Sequence, residues 1–235
     1  MNDTLQRWVT KAVRAGRAEL LDLPLAAIQN WPGRIGNALR VAYWRQRCRS
    51  VGRNFRVEPN VTIVGPEWVS FGDDVWLDRG VVLIAGPLTG GSRRVRDVTL
   101  ADRRVAKGEL KIGNRVHVAP HVVIQAHGGV SIGDELTLAA GTKIYSLSHH
   151  YRDPGDPSDL TPFRFVGSVP DAQQLLLEGE VVVENGAAIG LNAVLLPGAR
   201  VSAEAWVAAG SVVRSVVPPR MIAGGNPAAV FKTRP

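Results

Sequence analysis

The chain holds a single cysteine, Cys48, which rules out an intrachain disulfide and fits a reducing compartment. Aromatic residues make up only 6% of it, so aliphatic and small residues have to fill its core. Long apolar runs are missing. Val194–Pro197 and Val212–Pro218 fall far short of the roughly 20 residues that a membrane span needs. Thr10–Glu19 is charged where a secretory signal would be apolar. These absences lead to the expectation of a cytoplasmic protein.

What is present is 235 residues, 45% of them hydrophobic, with 25 glycines and 15 prolines. That length supports one sizeable core. The net charge of +7 favours anionic partners. Arginines are front-loaded, at 14, 17, 34, 40, 45, 47, 49, 53 and 56. A second basic cluster comprises Arg93, Arg94, Arg96, Arg103, Arg104 and Lys107. Neither cluster has interleaved aromatics or a helix-turn-helix pattern, so nucleic acid is not an expected partner. The plain reading of both is a solvated basic face. Peripheral contact of the N-terminal arginines with the inner, anionic face of a membrane is a further expectation.

An internal repeat sets the architecture. Aliphatic residues recur every six positions at Val183, Ile189, Leu195, Val201, Val207 and Val213. A small residue follows each by four places, as at Ala187, Ala193, Ala199, Ala205 and Ser211. The same spacing joins Phe71, Leu77 and Leu83, then Ile112, Val118 and Ile124, and after a two-residue slip Ile132, Leu138 and Ile144. A period of six matches neither the 3.6 of a helix nor the 2 of a strand. It matches a triangular coil in which each side is a short strand plus a corner. Gly72-Asp73-Asp74, Gly113-Asn114, Gly133-Asp134 and Glu184-Asn185-Gly186 supply the turns. Stacked coils bury a column that no single coil hides. The expected fold is therefore an all-β solenoid, a parallel β-helix with coils over 57–84, 112–147 and 181–213.

Three segments interrupt that pattern. Residues 1–56 read as an N-terminal helical region, with candidate helices at Leu5–Leu21 and Ile35–Cys48; the second carries Ile35, Leu39, Ala42 and Tyr43 as its apolar stripe. The β-helix domain is expected over 57–231, with insertions at 85–110 and 148–180, and a tail at 232–235. The proline-bearing excursion 148–180 is long enough to suggest function.

That excursion starts Ile144-Tyr-Ser-Leu-Ser-His149-His150-Tyr151-Arg152-Asp153. The two histidines leave the solenoid where the repeat stops, and Asp153, Asp156 or Glu180 are candidates to orient an imidazole base. The local residues alone leave catalysis, a surface turn and metal ligation open. His117, His121 and His127 fall in successive hexads, near different corners, so no metal site is expected. His117 and His121 read as exposed coil positions, and His127 as the one that lines a groove.

The hexads and the segment Gly141–Asp153 resemble the hexapeptide-repeat acyltransferases, and within them the galactoside, maltose and polysaccharide O-acetyltransferases. The run from Ile189 to Val213, followed by Val217-Pro-Pro and Ala223-Gly-Gly-Asn-Pro-Ala, is similar to that family's closing coils. The resemblance covers about 57–84 and 112–231. It implies a left-handed coil, acetyl-CoA as co-substrate and a homotrimer. It also implies a base at His149, with His150 beside it as alternative or site-shaping residue and Asp153 as their carboxylate. His127, Tyr151 and Arg152 are the expected contacts to the acceptor. Ala188, Ala208, Ala209, Gly210 and Ser211 would form the pantetheine edge, and Arg214, Arg220 and Lys232 would meet phosphates. Ala188 departs from the family, many members of which carry Trp there.

The implied activity is transfer of an acetyl group from acetyl-CoA to a sugar hydroxyl in surface polysaccharide synthesis. The acceptor would be a saccharide, either free or linked to a nucleotide or lipid. An N-acetyltransferase acting on an amino-sugar nucleotide and a non-enzymatic β-helix scaffold are the competing readings.

Overall fold

The computed structural model describes residues 23–166 and 168–235. The candidate helix Leu5–Leu21 lies outside them. The described chain winds into a parallel β-helix whose three long sheets have seven, six and eight strands.

The hexad aliphatics become the three inward columns. Val51, Phe71, Ile112, Ile132, Val183, Val201 and Val217 are in register along one sheet. Val57, Leu77, Val118, Leu138, Ile189, Val207 and Ala223 line the second. Ile63, Leu83, Ile124, Ile144, Leu195 and Val213 line the third. Nearly all are buried, and Leu77, Leu83, Leu138 and Ile144 are fully so. Each such side chain contributes about 1.5–3 kcal/mol of apolar burial. Ala193, Ala199 and Ala205 fill the second inward slot, where the triangle narrows.

One corner explains the Asp and Asn of the repeat. The Asp73, Asn114, Asp134 and Asn185 side chains accept hydrogen bonds from the backbone amides of Arg53, Asp73, Asn114 and Asp134, each one coil earlier. The next residues, Asp74, Arg115, Glu135 and Gly186, turn the corner with φ near +60°.

The coil starts at Ser50–Val51, within the stretch the sequence assigned to N-terminal helices. A two-residue strand carries too little periodicity to announce itself. At the other end, the strand Ala228–Thr233 folds back antiparallel on Met221–Gly225 and runs into the expected tail. This hairpin pairs with the exposed edge of the last coil.

The second candidate helix is present as Gly33–Arg47, but with another face inward. It buries Gly36, Arg40 and Trp44, whereas Ile35 is 66% and Leu39 37% exposed. The physical reason lies in open carbonyls. Arg40 donates through Nε to the Val57 carbonyl at 2.9 Å and through Nη1 to the Trp31 carbonyl at 2.7 Å. Gly36 lies so close to the Trp31 carbonyl that no side chain fits there. Burial lowers the Arg40 pKa from its usual value, and Glu58 partly offsets this. Among the described residues no helix is long and apolar enough to cross a membrane.

Candidate active site

All the irregularities of the repeat fall at one corner, where the third sheet hands over to the first. The residues 85–110, the short turn 126–129 and the excursion 148–180 all leave from it, on successive coils. The two insertions, separate in sequence, build one platform. Strand Leu147–His149 pairs antiparallel with Leu175–Glu178, which pairs parallel with Arg94–Asp97.

Ion pairs hold this platform together. Arg93 reaches Asp171 at 2.9 Å, Arg94 reaches Asp159 at 2.5 Å, and Arg103 reaches Asp97 at 2.6 Å. Arg104 meets Glu184 at 2.6 Å, and Lys107 meets Glu178. Every member of the second basic cluster is thus paired to a carboxylate. The cluster keeps much of its exposure, but Arg93, Arg94 and Lys107 pair across the two insertions, Arg103 pairs within the first, and Arg104 pairs with the coil at Glu184.

Asp153 belongs to the same network. Its buried carboxylate takes a two-pronged hydrogen bond from Arg96, 2.9 Å on each arm, plus the Gly155 amide. Arg96, the Gly155 amide and Arg94 hold its pKa below the usual carboxylate value, against the cost of burial. It does not orient His149. Asp156 caps its own turn at Ser158 and Asp159, and Glu180 accepts the Arg104 and Val105 amides. The partner of His149 is Gln174, which sequence reasoning missed because nothing in the Gln173-Gln174 pair marks it.

The geometry fixes two imidazole tautomers. Gln174 donates through Nε2 to the Val169 carbonyl, so its Oε1 accepts from His149 Nε2 at 3.2 Å. The lone pair of His149 is therefore on Nδ1. His127 sits at the turn between the two insertions, and its Nδ1 donates to the Gly86 carbonyl at 2.7 Å. That leaves the lone pair on Nε2. His149 also packs on Phe165, 5.2 Å between ring centroids, so it lies against its own excursion. His150 turns away, stacking on Tyr151 at 4.8 Å; Tyr151 is 66% exposed and Arg152 is exposed. The structure thus brings His149 and His127 to one corner and leaves Tyr151 and Arg152 outward.

A cleft of about 340 Å³ opens on the platform, lined in part by Pro87, Leu88, Arg93, Val95, Lys107 and Glu178; neither His149 nor His127 lines it. His149, Leu176 and Val95 are opposite one another across the platform strands, so their side chains share the face that also carries Glu178.

The small-residue edge lies at a different corner, between the second and third sheets. Ala209 and Gly210 are exposed and Ala208 half-buried, with the Gly210 amide bound to the Leu191 carbonyl. Ser211 is fully buried in the narrow slot, and its hydroxyl accepts the Gly225 amide, so it is not part of the open edge. Ala188 stands next to Trp206 in the ladder, and Trp206 is covered by Arg234 at 5.7 Å. Arg214 and Lys232 are exposed, and Arg220 lies 3.6 Å from Glu204. His117 stacks on Trp76 at 4.3 Å, and His121 holds a left-handed corner. Among the described residues no three His, Cys, Asp or Glu side chains are grouped to hold a metal.

The left-handed parallel β-helix is a fold that this chain shares with solved acyltransferase structures. No family model matches the chain. In sequence it is similar to the galactoside O-acetyltransferase of Escherichia coli, 34% identical over 94 residues, or 40% of this chain and 43% of that one. It is also similar to the dTDP-4-amino-4,6-dideoxy-D-glucose acyltransferase of Escherichia coli, 25% identical over 158 residues, or 63% and 71%. Among solved structures it superposes on a variant of AntD, an N-acyltransferase from Bacillus cereus in complex with dTDP and coenzyme A. The TM-score is 0.64 at 18% identity, over 83% of this chain and 90% of that one. The chain spans about half the length, or less, of several curated relatives that it matches.

Proposed function

We propose that this protein is an acyltransferase that moves an acetyl group from acetyl-CoA to a sugar hydroxyl in surface polysaccharide synthesis. The observation that supports the proposal is that His149 and His127, each with one ring nitrogen hydrogen-bonded, lie at the corner where the repeat breaks and the platform carries a cleft. His149 is the base, acting through Nδ1. It takes the acceptor hydroxyl proton as the oxygen attacks the thioester carbonyl, the tetrahedral intermediate collapses, and the departing CoA sulfur receives the proton back. No acyl-enzyme forms. His127, with Nε2 open, binds the acceptor. Holding both substrates in place supplies the proximity term.

Assembly follows from the corners. In one chain the small-residue edge and the histidines occupy different corners of the triangle. A threefold arrangement of parallel prisms sets one chain's edge against its neighbour's platform, so a homotrimer completes the site. Pantetheine then lies along Ala208–Gly210, with Arg214, Arg220 and Lys232 near its phosphates and Ala188 beneath. The setting is cytoplasmic, where CoA thioesters are made.

A second reading, transfer to the amine of a nucleotide-linked amino sugar, is favoured by the longer alignment to the dTDP-amino-sugar acyltransferase. Acetyl-CoA consumption measured against free sugars, nucleotide sugars and their amino forms separates the two. Turnover with hydroxyl acceptors supports the first reading, turnover with amines alone supports the second, and turnover with neither overturns both.

A further inference from the structure

We propose that the outer face of helix Gly33–Arg47, together with Trp31, is a docking surface for an anionic lipid bilayer. This inference stands apart from the acyl-transfer reading and rests on a different part of the molecule.

The helix covers the open end of the first coil, to which Arg40 and Asn37 tie it through the Val57 carbonyl and amide. Its inward stripe is Gly36, Arg40 and Trp44. A second stripe, about 100° round the helix, is Ile35 and Leu39, exposed by 66% and 37%, and Trp31, just before the helix, is 51% exposed. Ala38 and Ala42 are exposed beside it, and no described residue covers it. Arg34 and Arg45 flank the stripe and are exposed. From Leu23 to Val57 the chain has no Asp or Glu. Arg40 is buried, and Arg49 and Arg53 pair with Glu109 and Asp73, so the charge beside the stripe is that of Arg34 and Arg45.

That combination selects the partner. Apolar side chains enter the headgroup boundary while the arginines meet anionic lipid. A second copy of the same face fits worse, since it would bring arginines together with no carboxylate to pair them. The second basic cluster offers no competing surface, because each of its cations is already paired.

The test is co-sedimentation of the full chain with phosphatidylcholine vesicles, with and without about one-third phosphatidylglycerol. Binding is expected only to the anionic vesicles. It should weaken by about tenfold or more in the Ile35→Ser/Leu39→Ser and Arg34→Gln/Arg45→Gln double variants and at high salt. All four positions are exposed, so the variants keep the fold, which circular dichroism melting checks. Absence of binding to anionic vesicles, or binding unchanged in both double variants, overturns the proposal. If the chain instead forms a larger oligomer that Ile35→Ser/Leu39→Ser disperses, without vesicle binding, the face is a contact between copies.

Discussion

Gly190 offers a sharp test of how the coil carries the thioester. It lies under the small-residue edge, and a Cβ there would stand 2.6 Å from the Ala209 nitrogen, 2.7 Å from the Val207 oxygen and 2.8 Å from the Ala208 carbonyl carbon. All three are backbone atoms, so no side chain can rotate away. Restoring ordinary contact requires the edge to move outward by about 0.7 Å, and overpacking of this kind costs about 1–3 kcal/mol. In a chain of this size that lowers the melting temperature by roughly 2–12 °C. The displaced edge is the proposed pantetheine seat, and loss of about 1.4 kcal/mol of contact there weakens coenzyme A tenfold. Gly190→Ala should therefore both melt earlier and show a raised Kd in calorimetric titration with CoA. Gly186→Ala is the control. Its φ of +66° brings strain at another corner, with its nearest neighbour, a Glu204 side-chain carbon, at 3.4 Å, so it should lose stability and keep CoA affinity. A destabilised Gly190→Ala with unchanged CoA affinity would place the thioester elsewhere. An undisturbed melting temperature would refute the packing argument itself.

Other consequences are simpler to state. His149→Asn should lower kcat by about 10²–10⁴-fold with CoA affinity kept, while His127→Asn should raise the acceptor KM more than it lowers kcat. Steady-state kinetics with the best acceptor separates them. Acid should loosen the platform before the coils. For Asp97 burial raises the pKa, yet the Thr99 hydrogen bonds and Arg103 outweigh it and hold the carboxyl at about 2. Hydrogen bonds from Thr161, then Arg94, hold Asp159 at about 2. Depressed pKa values mean that the stabilisation is present above the unfolded value of about 3.9 and is lost as pH falls toward 2. Proteolysis should accordingly reach the 148–180 excursion in that window while the coil's β-sheet signal persists. Burial pushes the Cys48 thiol up to about 12, so at pH 8 it should resist iodoacetamide in the folded chain and react on unfolding. Arg40→Met removes charged hydrogen bonds to the Val57 and Trp31 carbonyls and should cost about 2–3 kcal/mol, read by denaturant melting.

The coil was legible because its signal is local and repeated. Phe71, Ile112 and Ile132 announce one column by spacing alone, and the Asp73, Asn114, Asp134 and Asn185 ladder explains why polar turn residues recur beside it. The platform was not legible. Strand Arg94–Asp97 pairs with Leu175–Glu178, far along the chain, and no periodicity records which loop meets which. Asp153 looked like a partner for His149 because the two are near in sequence, while its actual partner, Arg96, lies in the other insertion. The N-terminal helix misled for another reason. Apolar spacing at Ile35 and Leu39 signals a buried stripe, but carbonyls needing donors drew Arg40 inward instead. His149 and His127 were both singled out in the sequence; what the structure adds is the atom on each ring that is open.

The central claim is that a histidine at this corner moves the acceptor proton while the thioester lies on the coil edge. Acetyl-CoA consumption by the wild type and by the His127→Asn/His149→Asn double variant, each with CoA affinity measured in parallel, tests it most directly. The account predicts acceptor-dependent consumption in the wild type and its loss in the double variant, with CoA still bound. Undiminished consumption in the double variant would contradict it.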